Sequence, residues 1–478
     1  MLALTVSAKR PRISASMNAA RFRILVLLSL AIVPLHAAVR LPAVLDSHMV
    51  LQQRSTVTFW GWAGPAEKVT VSTSWSTNVH TTTASNGARW EMGIPTPAAG
   101  GPHTIRIQAG NEIVLEDVLI GEVWLCSGQS NMEWSGEQGL KQVLEEAPQA
   151  TNGAIRLFHV PKSTSTHPQD DLSAHWVACN PDAMRRFSAI GYFFAKRLQD
   201  QLGVPIGVIN ASWGGTPAEV WTPRERVDSD PELKAAAALI KPAPWWPHEP
   251  GLTFNAMIHP LTRFRMAGFL WYQGESNVAT HGTYRRLFTS MIEGWRQAWG
   301  SELPFYFVQI APFTYGEDSV RAAFLREAQA DVAALPGTGM VVTTDLVDDV
   351  KDIHPQAKRE VALRLANHAL SSNYGIAGLQ PRHPLYRSHK VENGRIRIEF
   401  DAVPTGLVSR DGPPTEFTIA GADGHFVPAT AMIDGATVVV SDATVTEPVA
   451  VRFGFSAAAI PNLFSTEGLP VTPFRTDR

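Results

Sequence analysis

With only two cysteines, Cys126 and Cys179, in 478 residues, the chain excludes a small disulfide-built scaffold. Cys126 closes an apolar run and reads as a buried core thiol, although an oxidising compartment would let the two pair. Metal-ligand spacing is missing too. There is no His-Glu-x-x-His, no paired cysteine motif and no histidine cluster, so neither a metal nor another cofactor is implied. Beyond residue 38 no apolar run approaches the roughly 20 residues of a membrane span. Repeats and low-complexity segments are absent. So is an excess of basic charge, since 41 Lys and Arg against 44 Asp and Glu give a formal charge of −3. Nucleic acid is therefore disfavoured as a partner.

What is present begins at the amino terminus. Arg21 and Arg23 precede the apolar run Ile24 to Pro34, which closes on Leu35-His36-Ala37-Ala38. That layout predicts a secretory signal peptide over residues 1–38 and an exported protein, periplasmic or extracellular. Its removal takes away five basic residues and no acid, and leaves a formal charge of −8. A chain of this length is expected to divide into two or three domains. Residues 39–117 show short runs of period two, such as Thr56 to Trp62 and Val69 to Trp75, between Gly, Pro, Asn and Ser clusters, and predict a small β-sandwich. Over residues 118–382 apolar strands, Val204 to Asn210, Met266 to Gln273, Phe305 to Ala311 and Met340 to Asp345, lie among amphipathic stretches. The latter are Ser188 to Leu202, Tyr284 to Trp299, Val320 to Leu335 and Gln356 to Leu370. Such alternation predicts a parallel sheet with helices on both faces. Period two returns over residues 383–478, in Arg395 to Phe400, Glu416 to Ile419 and Thr437 to Val440, and predicts a second β-domain.

Ligands of open α/β sheets bind outside the carboxyl ends of the strands, and four polar clusters fall there. Gly128-Gln129-Ser130-Asn131-Met132 follows the run Val118 to Cys126, and Asn210-Ala211-Ser212-Trp213-Gly214-Gly215-Thr216 follows Val204 to Ile209. Gln273-Gly274-Glu275-Ser276-Asn277 and Asp348-Asp349-Val350-Lys351-Asp352-Ile353-His354-Pro355 close the next strands. Acyl transfer needs a nucleophile, a base, a group that orients the base, and donors for the oxyanion. Ser130 reads as the nucleophile, His354 as the base, and Asp352 as the nearest carboxylate to orient it. The expected oxyanion donors are the N–H of Ser130, the N–H of Gly214 or Gly215, and a side-chain amide of Gln273 or Asn277. No Gly-x-Ser-x-Gly elbow surrounds Ser130.

These clusters resemble those of the sialate O-acetylesterases, within the SGNH-type (GDSL-like) hydrolase superfamily that also holds acetylesterases for plant polysaccharides. The resemblance is carried by Glu122 to Met132, by Trp213-Gly214-Gly215-Thr216-Pro217 with Trp221, by Trp271 to Asn277, and by Asp352-Ile353-His354-Pro355, and it extends from about Leu41 to Arg478. It implies Ser130 as nucleophile and His354 as base, on a three-layer α/β/α, flavodoxin-like hydrolase domain flanked by β-domains. One departure stands out. Across the superfamily the acid lies three residues before the histidine, where this chain has Lys351. Asp352, Asp349 and Glu275 remain alternatives for the acid, as does a dyad without one.

The expected activity is removal of acetyl groups from carbohydrate hydroxyls, on sialate or on xylan and xyloglucan oligosaccharides. The competing class is a non-catalytic glycan-binding protein on a degenerate hydrolase core. Trp245-Trp246, set among Pro242, Pro244 and Pro247, reads as a pocket rim, whereas most other tryptophans read as core.

Overall fold

The computed structural model describes residues 38–316 and 320–477, so the expected signal peptide lies almost wholly outside the described residues. Among the described residues no helix is long and apolar enough to cross a membrane. The fold is mixed α/β, with one large mixed sheet and several small antiparallel ones.

In chain order the first strands are β1 (Val50–Gln52), β2 (Thr56–Trp62), β3 (Lys68–Thr73), β4 (Val79–Thr83), β5 (Arg89–Pro95), β6 (Gly100–Gln108) and β7 (Glu112–Gly128). After them come β8 (Asn152–His159), β9 (Trp176–Cys179), β10 (Ile206–Ser212), β11 (Gly268–Tyr272), β12 (Phe305–Val308) and β13 (Thr338–Val341). The main sheet runs β13-β12-β11-β7-β10-β8-β9, parallel throughout except for the antiparallel pair β8 and β9. The first strand of the α/β part, β7, is thus central, and the chain fills the sheet outward on both sides of it. A crevice forms at the carboxyl ends where the direction of filling reverses.

β7 has two halves. From Glu112 to Asp117 buried and exposed positions mix, and this half pairs antiparallel with β6. From Val118 onward every residue is buried, and the strand pairs in parallel with β10 and β11. The boundary expected at residues 117 and 118 therefore falls inside a continuous strand. Alternate residues of the second half serve two cores. Val123 and Leu125 face the helix His281–Trp299 through Tyr284, Phe288 and Trp295. Trp124 and Cys126 face the helices Ala189–Leu202 and Lys358–Ser372. A strand covered on both faces has no polar side to show, which is why its sequence reads as an unbroken apolar run.

The four expected strands and four expected helices occur within a few residues of their predicted bounds. Gly203 closes the helix Ala189–Leu202 in the left-handed conformation, at φ 64°. Strands β8 and β9 were not legible, because Arg156 interrupts the apolar run of β8. Its guanidinium is buried only because it is paired with Asp117, at 2.6 Å. The N-terminal strands share one core with a face of the main sheet, whereas the C-terminal strands have their own, around Ile396, Ile419, Val438 and Phe453. Cys126 and Cys179 are both free and buried, and burial pushes both thiols up, Cys179 to about 12. Neither is therefore a reactive thiolate.

Two buried histidines couple stability to pH. His383 Nε2 accepts from Val342 N at 3.2 Å, and its Nδ1 faces Pro470 O at 3.1 Å, so the neutral ring links the sheet to the C-terminal segment. Burial holds its pKa well below the usual value and lowers that of His368 to about 4. The unfolded chain then binds protons that the folded chain refuses, so stability is full above the ordinary histidine pKa of about 6.5 and is lost as pH falls below it. Urea midpoints should drop between neutral pH and about pH 5, and His368→Gln should flatten that slope. An unchanged slope would contradict this account.

Candidate active site

The turn after β7 is forced by close packing. Gly128 has φ +136°, and a Cβ there would overlap the carbonyl of Tyr272. Gln129 N donates to that same carbonyl at 3.0 Å, while Gln129 Oε1 accepts from Gly274 N and Ser276 N. The carboxyl ends of β7 and β11 are thereby stitched together. Ser130 opens a single helical turn, Ser130–Glu133, in which Met132 N and Glu133 N donate to Gln129 O at 2.9 and 3.0 Å, so that Ser130 N stands at the turn's open end.

His354, 224 residues away, reaches Ser130 from the loop after β13. Its Nε2 lies 2.9 Å from Ser130 Oγ. The Trp134 ring stacks on the imidazole with centroids 4.0 Å apart and planes 19° from parallel, which fixes the ring's orientation. Asp352 is close but aimed elsewhere. Its Oδ1 accepts from the backbone N–H of His354 at 2.8 Å and stands 3.8 Å from Nδ1, beyond hydrogen-bonding distance. Asp349 accepts from Lys351 N within its own loop. Of the carboxylates weighed for the acid, Asp352 is thus the one beside the ring, and it shapes the loop rather than bonding to the imidazole.

Beneath this pair lies a buried polar network. Asn131 donates to Glu275 Oε1 at 2.6 Å and to Ile353 O at 3.0 Å, and accepts from Lys358 Nζ at 2.5 Å. Lys358 is 1% exposed, and burial lowers its pKa to about 7 against the pull of Glu275 and Asp352. Burial likewise raises Glu275. His354 is pushed below the ordinary histidine value, first by burial and then by the positive charge of Lys358, with Asp352 opposing.

Two expected oxyanion donors are corrected by the geometry. The Gln273 amide donates to Thr216 O and to Asn277 Oδ1, and the Asn277 amide donates to Glu219 and Thr280, so both hold the scaffold together. Neither has a donor left for substrate, because a buried amide must spend its N–H groups on fixed partners. Gly214 does reach the site, since a Cβ there would stand 3.2 Å from Ser130 Cβ. Its N–H donates to Glu133 Oε2, and Glu133 in turn pairs with Lys162. Gly215 lies under the Trp246 ring, which fills the space a Cβ would need. Lys358 and Glu133 escaped the sequence reading, and Trp134 stood there only among tryptophans weighed for sugar stacking or core, not as a partner of His354. Lys358 sits among Gln356, Arg359 and Glu360 and looks like any exposed helical lysine.

Residues 120–371 match the family described as carbohydrate esterase, sialic acid-specific acetylesterase. The sialate O-acetylesterase of Mus musculus is 30% identical over 427 residues, covering 76% of this chain and 79% of that protein. The human sialate O-acetylesterase is 30% identical over 388 residues, covering 72% and 73%. Among solved structures, a carbohydrate acetylesterase from Xanthomonas citri is 39% identical, with a TM-score of 0.83 over 92% of this chain and 100% of that one. The class is thereby defined as an esterase, a hydrolase of carboxylic esters. Within that class the chain belongs to the sialic acid-specific acetylesterase family of carbohydrate esterases.

Proposed function

We propose that this protein is an exported carbohydrate O-acetylesterase that works through an acetyl-enzyme on Ser130. The observation that carries the mechanism is the 2.9 Å contact between His354 Nε2 and Ser130 Oγ. Neutral His354 takes the Ser130 proton as Oγ attacks the acetyl carbonyl, and returns it to the departing sugar hydroxyl. Water, deprotonated by the same imidazole, then releases acetate. The N–H groups of Ser130 and Gly214 are the donors offered to the oxyanion, with substrate taking the place that Glu133 holds at Gly214. Trp134 and Asp352 position the base, the first by stacking and the second through its backbone. The central domain is read as an SGNH-type hydrolase over residues 118–382, with the β-rich parts over 39–117 and 383–478 framing the cleft. The pattern of residues 1–38 supports export.

The test is acetate release from 4-nitrophenyl acetate, 9-O-acetylated sialic acid and acetylated xylan, together with 4-nitrophenyl butyrate. Turnover of a sugar acetate is expected, with rates falling steeply from acetyl to butyryl. A wild-type protein inert on every sugar acetate would contradict the proposal.

The pH dependence follows from the site. The base must be neutral, and His354 titrates below its ordinary value, so the acid limb of kcat/KM should lie below about pH 6.5. Lys358→Met removes the neighbouring positive charge, lets His354 hold its proton more tightly, and should move that limb to higher pH. A pH–rate profile that stays in place would show that Lys358 does not act on the base.

A further inference from the structure

Trp245 is 75% exposed, and it is the only aromatic among the strongly exposed large apolar side chains of the described residues. The segment that carries it, Lys241-Pro242-Ala243-Pro244-Trp245-Trp246-Pro247, is stiffened by three prolines that fix φ, so little order has to be imposed on it at binding. It is docked directly on the turn beside the nucleophile. The neighbouring Trp246 ring covers Gly215, and Trp213 Nε1 donates to the Trp245 carbonyl at 3.1 Å. Arg224 holds Glu249 at 3.1 Å, and Gly251 N donates to Glu219 O at 3.0 Å, which pins the far end of the loop. Between this loop and Ser130 stands the short run Trp213-Gly214-Gly215, whose middle residue lies so near that a Cβ on it would stand 3.2 Å from Ser130 Cβ. Docking uses the backbone carbonyl of Trp245 and leaves its ring in water, which forfeits the burial a large indole face would gain. The loop is thus held by its other groups against the turn that follows β10, while the Trp245 ring stays exposed.

We propose that the Trp245 ring is a stacking subsite for a pyranose of an acetylated oligosaccharide, taking the sugar next to the one whose acetyl ester meets Ser130. The flat C–H face of a pyranose carries partial positive charge and apolar area, which suits the negative face of an indole. The inference rests on the carbohydrate-esterase reading above and adds to it a preference for chains of sugars over single ones.

The experiment compares wild type, Trp245→Ala and Trp245→Phe on 4-nitrophenyl acetate, peracetylated xylose and partially acetylated xylo-oligosaccharides. Calorimetry of unacetylated xylo-oligosaccharides is run alongside, on Ser130→Ala with and without Trp245→Ala. Trp245→Ala is expected to raise KM for the oligosaccharides about tenfold relative to KM for 4-nitrophenyl acetate, with kcat retained, and Trp245→Phe to recover most of the difference. Calorimetric binding should weaken by a similar factor. Equal changes on all three substrates would assign the ring a structural role and overturn the proposal. An unchanged KM ratio would also overturn it, whether or not sedimentation shows the ring buried between two copies of the chain. Wild type that is inert on sugar acetates but binds oligosaccharides through Trp245 would sink the esterase reading and keep the subsite. If neither turnover nor binding is seen, both fail.

Discussion

Ser130→Ala should lower kcat/KM for 4-nitrophenyl acetate by about a thousandfold or more, with the melting temperature close to that of wild type. Ser130 is half-buried just past the end of a buried strand and its Oγ contacts His354 Nε2, so the substitution removes the attacking atom and little packing. His354→Ala should cost a comparable factor, because an unassisted hydroxyl is a weak nucleophile. The double variant should be no worse than either single one, since two residues that act as one unit do not add. Asp352→Asn makes the contrast. A carboxylate 3.8 Å from Nδ1 that bonds instead to the His354 backbone contributes through loop geometry, and its loss should cost under about tenfold. Full activity in Ser130→Ala, or a far larger loss in Asp352→Asn than in His354→Ala, would contradict this assignment.

The second large effect is expected at Gly128. Gly128→Ala places a methyl group against the Tyr272 carbonyl at φ +136°, a backbone conformation that an L side chain rarely adopts. Relief requires the ends of β7 and β11 to part, which also breaks the bond from Gln129 N to Tyr272 O and displaces Ser130. Destabilisation of about 3 kcal/mol is expected, together with a fall in kcat larger than the change in KM. Denaturant titration and kinetics on the soluble fraction measure both. A variant with wild-type stability and rate would show that the close approach is not what sets the turn.

Much of this architecture was readable beforehand, for physical reasons. A strand covered on both faces must be apolar throughout, so β7, β10, β11 and β12 announced themselves, and their polar termini marked the crevice edge. β8 stayed hidden because a buried arginine looks like an exposed one until its partner Asp117 is found across the sheet. Ser130 and His354 stood out through the clusters around them, and the structure brings them within hydrogen-bonding distance. Gln273 and Asn277 misled, because an amide aimed at substrate and an amide that braces a turn are the same residue in sequence. Lys358 could not be found at all, since its burial depends on Asn131, Trp134 and Tyr272, which approach it from other elements.

The most direct test of the central claim is covalent labelling by an organophosphonate that mimics the tetrahedral acyl intermediate, followed by mass spectrometry of the intact protein and its peptides. One adduct per chain is predicted, on the peptide that holds Ser130, forming in step with loss of acetylesterase activity and absent from Ser130→Ala. Activity lost while Ser130 remains unlabelled, or a label on a different serine, would contradict the account.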